Sequence, residues 1–124
     1  MERNNINRRR FIRMEFPYTI HIYQPQEKAI STYTENISAG GVKVVIKKKL
    51  EISSMVDLEI YVKQKPVLCK GRIVWVKEKE SNYLEGAAFF DTGIEFNKIN
   101  EEDRLAIKNC VEEIEKKRRN QEGQ

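Results

Sequence analysis

The sequence predicts an all-β domain: a six-stranded antiparallel β-barrel followed by one C-terminal α-helix. Short segments in which apolar and polar residues alternate recur through residues 18–96, and turn residues separate them. After residue 100 the apolar spacing changes to that of a helix. Because alternation gives each strand one buried and one wet face, the strands are expected to form an antiparallel sheet that closes on itself.

The first half of the chain holds three strand-like segments. Residues 18–23 (YTIHIY) alternate and are rich in aromatic and β-branched side chains. Residues 28–34 follow a breaker at residues 24–26 (QPQ), and residues 41–47 (GVKVVIK) are strongly β-branched. We therefore predict the first three strands in these ranges.

The second half holds the remaining strands. Residues 55–63 (MVDLEIYVK) alternate strictly, and residues 67–77 (VLCKGRIVWVK) form a longer segment. Gly71 lies inside that segment, where a glycine often marks a bulge or a sharp bend. Residues 83–96 hold one bent strand or two short ones. The expected breaks are two glycines, Gly86 and Gly93.

The last element, over residues 100–119, is predicted to be the helix. Asn100 is a good N-cap, and three acids that follow it complement the positive helix end. Four apolar residues recur on one face: Ile107, Cys110, Val111 and Ile114. This helix is expected to cover an open edge or an open end of the barrel. The predicted organisation is a flexible arm over residues 1–7, one domain over residues 8–119 and a flexible tail over residues 120–124.

Charge is concentrated at the ends of the chain. Residues 1–13 carry five arginines against one acid, and residues 116–119 (KKRR) add a second basic cluster to a net charge of +4. This distribution favours an anionic partner contacted by one end of the chain. No apolar run approaches the roughly 20 residues of a membrane span, and the N-terminus lacks the apolar core of a secretory signal. We therefore expect a cytoplasmic protein, with Cys69 and Cys110 as buried thiols; a disulfide or a reactive thiol is the alternative.

Catalytic and metal sites find little support, and the chain is expected not to be an enzyme. His21, the only histidine, lies in a predicted strand and is expected on its polar face. It would serve a hydrolase only if Ser38 or a cysteine came into contact with it. Metal sites need several converging ligands, and one histidine with two isolated cysteines does not suggest such a site. Nothing singles out Asp91 and Glu95 as an acid–base pair, although the pattern leaves them open.

The stretch NRRRFIRM, residues 7–14, is the first candidate binding segment. Arg9 and Arg13 are four residues apart, with Phe11 and Ile12 between them. Apolar side chains can anchor the segment on the barrel and so fix the arginines in position. Guanidinium groups suit phosphate and the O6/N7 edge of guanine, and they stack on flat bases. The alternative is a solvated basic arm that attracts nucleic acid or acidic lipid without specificity.

The stretch TENISAGGVKV, residues 34–44, is the second candidate. Asn36 and Ser38 are two residues apart, so on an extended chain they project to one side. Gly40 and Gly41 permit positive φ or close approach of a ligand to the backbone. An ordinary turn would have the same composition.

Together the two stretches resemble the signature of PilZ domains, bacterial receptors for cyclic di-GMP. The first half of the signature is residues 9–13 (RRFIR) and the second is residues 36–41 (NISAGG). The segments GRIVWV at 71–76 and TGIEF at 92–96 are similar to the late strands of that family. The resemblance implies a six-stranded barrel with a C-terminal helix, and it covers roughly residues 8–115.

The resemblance also implies roles for individual residues. Arg9 and Arg13 would hold guanine and phosphate, and the barrel residues Asn36 and Ser38 would contact a guanine edge. The glycines would admit the ligand to the backbone: Gly40 and Gly41. Arg8, directly before the motif, favours an intercalated ligand dimer. Asn36 stands where aspartate is commoner, and its neutral amide pairs less strongly with guanine N–H donors.

The function implied is a single-domain cyclic di-GMP receptor that needs no cofactor. Its arginine segment would become ordered on the ligand and signal to a protein effector, such as motility, pilus or exopolysaccharide machinery, because no effector domain is attached. One alternative is a PilZ-like adaptor with weak or no nucleotide binding. Another is a small barrel that binds RNA or single-stranded DNA through aromatic platforms. Against this stands the scatter of the aromatic residues, many of them expected in the core: Tyr18, Tyr23, Tyr33, Tyr61 and Trp75.

Overall fold

The computed structural model describes residues 17–62, 64–80 and 88–122. These residues form six strands and one helix. The elements are β1 Thr19–Tyr23, β2 Ile30–Ser38, β3 Gly41–Ile46, β4 Met55–Tyr61, β5 Val67–Glu80, β6 Ala88–Lys98 and α1 Glu101–Glu122.

The six strands close into a barrel in the order β1-β2-β3-β6-β5-β4. Every neighbouring pair is antiparallel. The predicted fold class is therefore confirmed. In this order the pair β3–β6 and the pair β1–β4 lie on opposite walls, and β2 and β5 form the sides between them.

Alternation along the strands fills the interior, as the sequence predicts. In β1, Ile20 and Ile22 are fully buried, and in β4 Leu58 and Ile60 point inward while Glu59 points outward. The hydrophobic effect, at roughly 25 cal/mol per Å² of apolar surface removed from water, makes this shared interior the main source of stability.

Helix α1 packs its apolar face on one end of the barrel. Ile107, Cys110 and Val111 are buried, and Ile114 is partly buried against the core. The Sγ of Cys110 lies 3.7 Å from the carbonyl oxygen of Val62. These contacts confirm the predicted face and its role as a cover.

The start of the helix is capped as predicted. The side-chain oxygen of Asn100 accepts a hydrogen bond of 2.7 Å from the backbone N–H of Asp103. Across residues 17–62, 64–80 and 88–122, no helix is both long and apolar enough to cross a bilayer.

Several predicted boundaries are wrong, each by a few residues. β2 continues to Ser38 rather than ending at residue 34, because its last residues pair with β3. β5 extends to Glu80, and β6 is a single strand that passes through Gly93 without a break. Gly86 lies outside the described residues. The helix ends at Glu122, beyond the predicted residue 119.

The two cysteines are free and buried, which confirms the first interpretation of the sequence. Burial, with the nearby carboxylate of Asp103, raises the pKa of Cys69 to about 12. A thiol with such a pKa is almost entirely protonated at neutral pH and is a poor nucleophile.

Gly71 sits at a register shift between β5 and β6, as predicted. A Cβ at this position would lie 2.5 Å from Cγ2 of Ile94 and 2.9 Å from Cδ1 of Leu58. The glycine is therefore required by close packing inside the barrel as well as by the bend.

Candidate functional site

The β2–β3 hairpin presents the two polar residues that the sequence singled out. Asn36 and Ser38 face outward from the barrel, and Ile37 between them is buried. A β-bulge between Thr34 and Asn36 makes this possible. Thr34 points into the core, so strict alternation would turn Asn36 inward too; the extra residue, Glu35, reverses the phase.

The turn after Ser38 is fixed by hydrogen bonds. The N–H of Gly40 donates to the Oγ of Ser38 at 3.2 Å, and the N–H of Phe96 in β6 donates to the carbonyl oxygen of Gly40 at 3.0 Å. Because Ser38 Oγ already accepts one bond, its own proton is available to an acceptor on a ligand.

The two glycines of the turn have different requirements. Neither has a left-handed φ, so the permitted positive φ is not used. A Cβ on Gly41 would lie 2.5 Å from the carbonyl oxygen of Ile94, whereas a Cβ on Gly40 would meet nothing closer than Ser38 Oγ at 3.9 Å. Gly41 is needed for the close approach of β3 to β6.

Strand register extends the site across four strands. Two parallel rows of paired residues cross the β3–β6 wall from β2 to β5. The first row is Asn36, Lys43, Gly93 and Trp75, and the second is Ser38, Gly41, Glu95 and Arg72. All of these residues except Arg72 line a pocket with a volume of about 320 Å³. Each row contains one glycine, and because a glycine has no side chain, it leaves space for the pocket above the sheet.

Trp75 forms one side of the pocket, which sequence reasoning missed. A second β-bulge, between Ile73 and Trp75, turns both Val74 and Trp75 outward, and the indole is 41% exposed. The indole lies over Gly93: a Cβ there would be 2.2 Å from its Nε1. Gly93 and Trp75 are 18 residues apart in the sequence, and no local pattern indicates that they pair.

The expectation that many of the five aromatic residues named above lie in the core is wrong. Tyr18 is buried, but the other three tyrosines of that set and Trp75 are exposed. The three tyrosines are exposed because each faces outward in an alternating strand, and Trp75 is exposed because of the bulge beside it. The argument against a nucleic-acid barrel cannot therefore rest on buried aromatic residues.

Charged residues flank the pocket in pairs. Lys43 Nζ lies 2.7 Å from Oε1 of Glu35, and Arg72 Nη2 lies 3.2 Å from Oε1 of Glu95. All four side chains are partly or largely exposed, so each pair is easily rearranged by a ligand. Among the described residues, the amide of Asn36 has no hydrogen-bond partner.

Helix α1 contributes one contact to the turn. Nη1 of Arg104 donates to the carbonyl oxygen of Ala39 at 3.2 Å. The backbone N–H of Arg104 bonds to Asn100, so the guanidinium extends from the capped first turn of the helix. The turn that carries Ser38 is therefore tied both to β6 and to the helix.

Arg8, Arg9 and Arg13 lie outside the described residues. The described chain begins at residue 17, and its start is tied to β2. Tyr18 N–H donates to Thr34 Oγ1 at 2.9 Å, and Thr34 N–H donates to the carbonyl oxygen of Tyr18 at 2.8 Å. The segment that precedes Pro17 is thus attached two residues along β2 from Asn36.

His21 lies on the polar face of β1, as predicted. Its Nδ1 is 3.1 Å from Oε1 of Glu59, and the residue that pairs with it in β2 is Ser31, not Ser38. Within the described part of the chain, no group of three or more His, Cys, Asp or Glu side chains is placed to hold a metal ion.

Comparison with known proteins agrees with this architecture. Among solved structures, the chain is similar to Bacillus subtilis MotI/DgrA, an inhibitor of motility, with 21% identity and a TM-score of 0.69 over 89% of this chain and 52% of that one. It is similar to the PilZ domain of Escherichia coli YcgR with c-di-GMP, with 12% identity and a TM-score of 0.71 over 94% and 98%. The match to K. pneumonia MrkH has 14% identity and a TM-score of 0.73 over 96% and 54%.

The chain thus spans about half the length of MotI/DgrA and MrkH, and at these identities the structures establish the shared fold. No curated protein matches the sequence. The PilZ domain family model matches residues 7–113, which contain both halves of the signature and the whole barrel. The chain belongs to the PilZ domain family.

Proposed function

We propose that this protein is a cyclic di-GMP receptor whose ligand lies on the β3–β6 wall. The observation that carries the proposal is the row from Asn36 to Trp75, crossing Lys43 and Gly93. Two bulges, one at each end, turn a hydrogen-bonding amide and a flat indole to the same surface, with a glycine between them. This arrangement fits a planar base with polar edges.

The chemistry of the pocket matches the parts of the ligand. Asn36 and Ser38 offer donors and an acceptor to the edge of a guanine, and the indole of Trp75 offers a stacking surface worth about 1–3 kcal/mol per base. Lys43 lines the pocket, and Arg72 is paired with the pocket residue Glu95, so both cations could face a phosphate. The YcgR domain, whose structure contains c-di-GMP, shares this fold over 98% of its length.

The arginine segment is proposed to complete the site. Arg13 precedes Pro17 by four residues, a span of up to about 14 Å when extended. Tyr18 is hydrogen-bonded to Thr34, close to Asn36, so this tether leaves Arg13 within reach of the pocket. Arg9 is four residues before Arg13 in the sequence. Each guanidinium contact would contribute about 1.5–3 kcal/mol as a charge-assisted hydrogen bond.

Ligand binding is then expected to order the arginine segment over the pocket, and Arg8 is expected to hold a second ligand molecule. This change would be the signal read by a protein effector in the cytoplasm. Hydrogen exchange over residues 3–14, with and without cyclic di-GMP, tests it. Equal protection in both states would contradict the ordering.

Calorimetric titration with cyclic di-GMP tests the receptor function. Arg9→Ala and Arg13→Ala should each weaken binding by about 10- to 150-fold, and Ser38→Ala by roughly 2- to 12-fold. Ser31→Ala, an exposed serine on the same strand but away from the pocket, is the matched control and should bind like the parent.

The outcomes separate the alternatives. A parent protein that releases no heat with cyclic di-GMP, yet is folded, would point to an adaptor without nucleotide binding. Binding of any oligonucleotide with a steep dependence on salt would favour the nucleic-acid barrel. Unchanged affinity for cyclic di-GMP in Ser38→Ala and Arg13→Ala would show that the ligand does not bind in this pocket.

A further inference from the structure

The barrel wall opposite the pocket carries a second exposed surface, which we call the tyrosine patch. It consists of Tyr23, Tyr33, Tyr61 and Leu68 around Glu59, with His21 beside it. The first four are 37%, 65%, 36% and 57% exposed.

Strand register makes the patch contiguous. Thr19 in β1 pairs with Tyr33 on one side and with Tyr61 on the other. In the next outward row, Glu59 pairs with His21 and with Leu68. The patch therefore spans β2, β1, β4 and β5, with β1 and β4 at its centre.

Glu59 is held by three neighbours through only one of its oxygens. Tyr23 donates its hydroxyl to Oε1 at 2.6 Å, Tyr61 donates at 3.4 Å, and His21 Nδ1 lies at 3.1 Å. Oε2 has no partner among the described residues. The hydrogen bonds from Tyr23 and His21 keep the pKa of Glu59 below its usual value, so the carboxylate is charged at neutral pH.

Three carboxylates on the barrel exterior are paired with a lysine or an arginine, and Glu59 is not. Glu35, Asp57 and Glu95 each pair with a lysine or an arginine within 3.2 Å. Asp57 is the closest comparison, because it lies on the same strand and face and has Lys70 Nζ at 2.7 Å. In the described part of the chain, no lysine or arginine pairs with Glu59.

A fixed anionic oxygen beside aromatic rings is a site for a cation. The ring centroids of His21 and Tyr61 are 5.4 Å apart, and the ring planes make an angle of 64°. The two rings beside the carboxylate therefore face in different directions. A guanidinium can donate to a carboxylate while its flat face stacks on a phenol. Phosphate would be repelled by Glu59, which argues against nucleic acid at this carboxylate.

We propose that the tyrosine patch is the docking surface for a partner protein, which places an arginine on Oε2 of Glu59 between Tyr23 and Tyr61. Apolar side chains that flank this arginine would cover Tyr33 and Leu68. Tyrosine and arginine are enriched among the residues that dominate binding energy at interfaces. The free oxygen of Glu59 and the exposed apolar area together select a protein segment that carries a cation, and the site does not depend on nucleotide binding.

Proton NMR of the full chain tests the proposal, because His21 is the only histidine and its ring signals report on the patch. The first probe is N-acetylarginine amide, with N-acetylcitrulline amide as its neutral analogue of the same shape. The second is the peptide acetyl-Gly-Leu-Arg-Leu-Gly-amide. The expected result is saturable movement of the His21 and tyrosine ring signals with both arginine probes and none with citrulline.

Variants then locate the site. Glu59→Gln should weaken binding of the peptide by about tenfold or more, since a charge-assisted hydrogen bond is lost. Asp57→Asn, the matched control, should leave binding unchanged. The peptide should bind at least about fivefold tighter than N-acetylarginine amide, and Leu68→Ser should remove that gain.

Four outcomes would overturn the proposal. An equal response to the arginine and citrulline probes would show that the site does not require a cation. Equal affinity for the peptide and for the arginine amide would show that the site binds a small cation and not a protein segment. A shift of the His21 signals in a chain with Arg8, Arg9, Arg10 and Arg13 changed to glutamine would show the chain's own arm on the patch. Sedimentation that shows dimers of the parent, lost in Glu59→Gln, would make the occupant a second copy.

Discussion

Replacing Gly93 by alanine is expected to weaken cyclic di-GMP binding while the barrel stays folded. The new Cβ would lie 2.2 Å from Nε1, 2.3 Å from Cε2 and 2.8 Å from Cδ1 of Trp75. Because ordinary contact begins near 3.4 Å, the indole must move by roughly 1 Å or more to relieve the repulsion. That movement lifts the stacking surface away from the row that begins at Asn36.

The two free energies at stake differ in size. Loss of base stacking costs about 1–3 kcal/mol, or roughly a 5- to 150-fold weaker affinity. Trp75 is 41% exposed, so its displacement removes only part of its packing. Alanine in a strand also gains about 0.5–1 kcal/mol over glycine through the unfolded chain. The free energy of unfolding should therefore change by less than about 1 kcal/mol.

Three measurements check this prediction: calorimetric affinity, urea unfolding and the emission spectrum of Trp75, the only tryptophan. Gly71→Ala is the matched control, because its Cβ would meet the buried side chains of Ile94 and Leu58 instead. It should lower the free energy of unfolding by about 1–3 kcal/mol and leave the emission spectrum unchanged. The reasoning fails if Gly93→Ala shifts the emission of Trp75 but binds the ligand like the parent.

Three further predictions concern the turn and the covered end of the barrel. Arg104→Met should weaken ligand binding by roughly fivefold, since a hydrogen bond to the turn worth about 1 kcal/mol is lost. Arg104→Lys should recover part of the affinity. Calorimetry that shows parental affinity in Arg104→Met would contradict this prediction. Gly41→Ala should lower the free energy of unfolding by about 1–3 kcal/mol and Gly40→Ala by less than about 0.5 kcal/mol, measured by urea unfolding; equal effects would refute the steric distinction. Burial, with Cys110 and Glu113, raises the pKa of Tyr18 from 10.0 to about 12. Because the folded state holds this proton more tightly than the unfolded state, the protonated hydroxyl of Tyr18 stabilises the fold fully below pH 10, and this contribution is lost as pH rises from 10 to 12. Urea unfolding at pH 9–11.5 should therefore show a steeper fall in the free energy of unfolding for the parent than for Tyr18→Phe.

The fold was predictable because its determinants are local. Alternation in β1 and β4 and the helical spacing from Ile107 to Ile114 each follow from a few consecutive residues. The strand ends were less predictable, because pairing with a neighbour extends β2 and β6 past the points where composition suggests a stop. A partner strand supplies hydrogen bonds that no single-segment pattern reveals.

The site was predictable on one side only. Asn36 and Ser38 are close in sequence, so an extended chain places them together. Trp75 and Gly93 are distant from them, and they join the site through strand register and through a bulge in β5. A bulge reverses the phase of alternation, and neither its position nor its partner can be read from the period of the side chains. Arg104 reaches the turn from the helix for the same reason, through contact across a long sequence separation.

The two proposed surfaces meet at the start of β1. Tyr18 is hydrogen-bonded to Thr34 on the side of the pocket, and the next residue, Thr19, lies between Tyr33 and Tyr61 of the tyrosine patch. Tyr18 therefore lies at the border of both surfaces, and the proposed movement of the preceding arginine segment onto the pocket would change access to the edge of the patch. Coupling of this kind is reciprocal: if cyclic di-GMP changes the affinity for the arginine peptide by some factor, the peptide must change the affinity for cyclic di-GMP by the same factor. Titrating each in the presence of the other measures both factors. Factors other than one would show that the two walls are coupled, whereas factors of one would mean that they act independently.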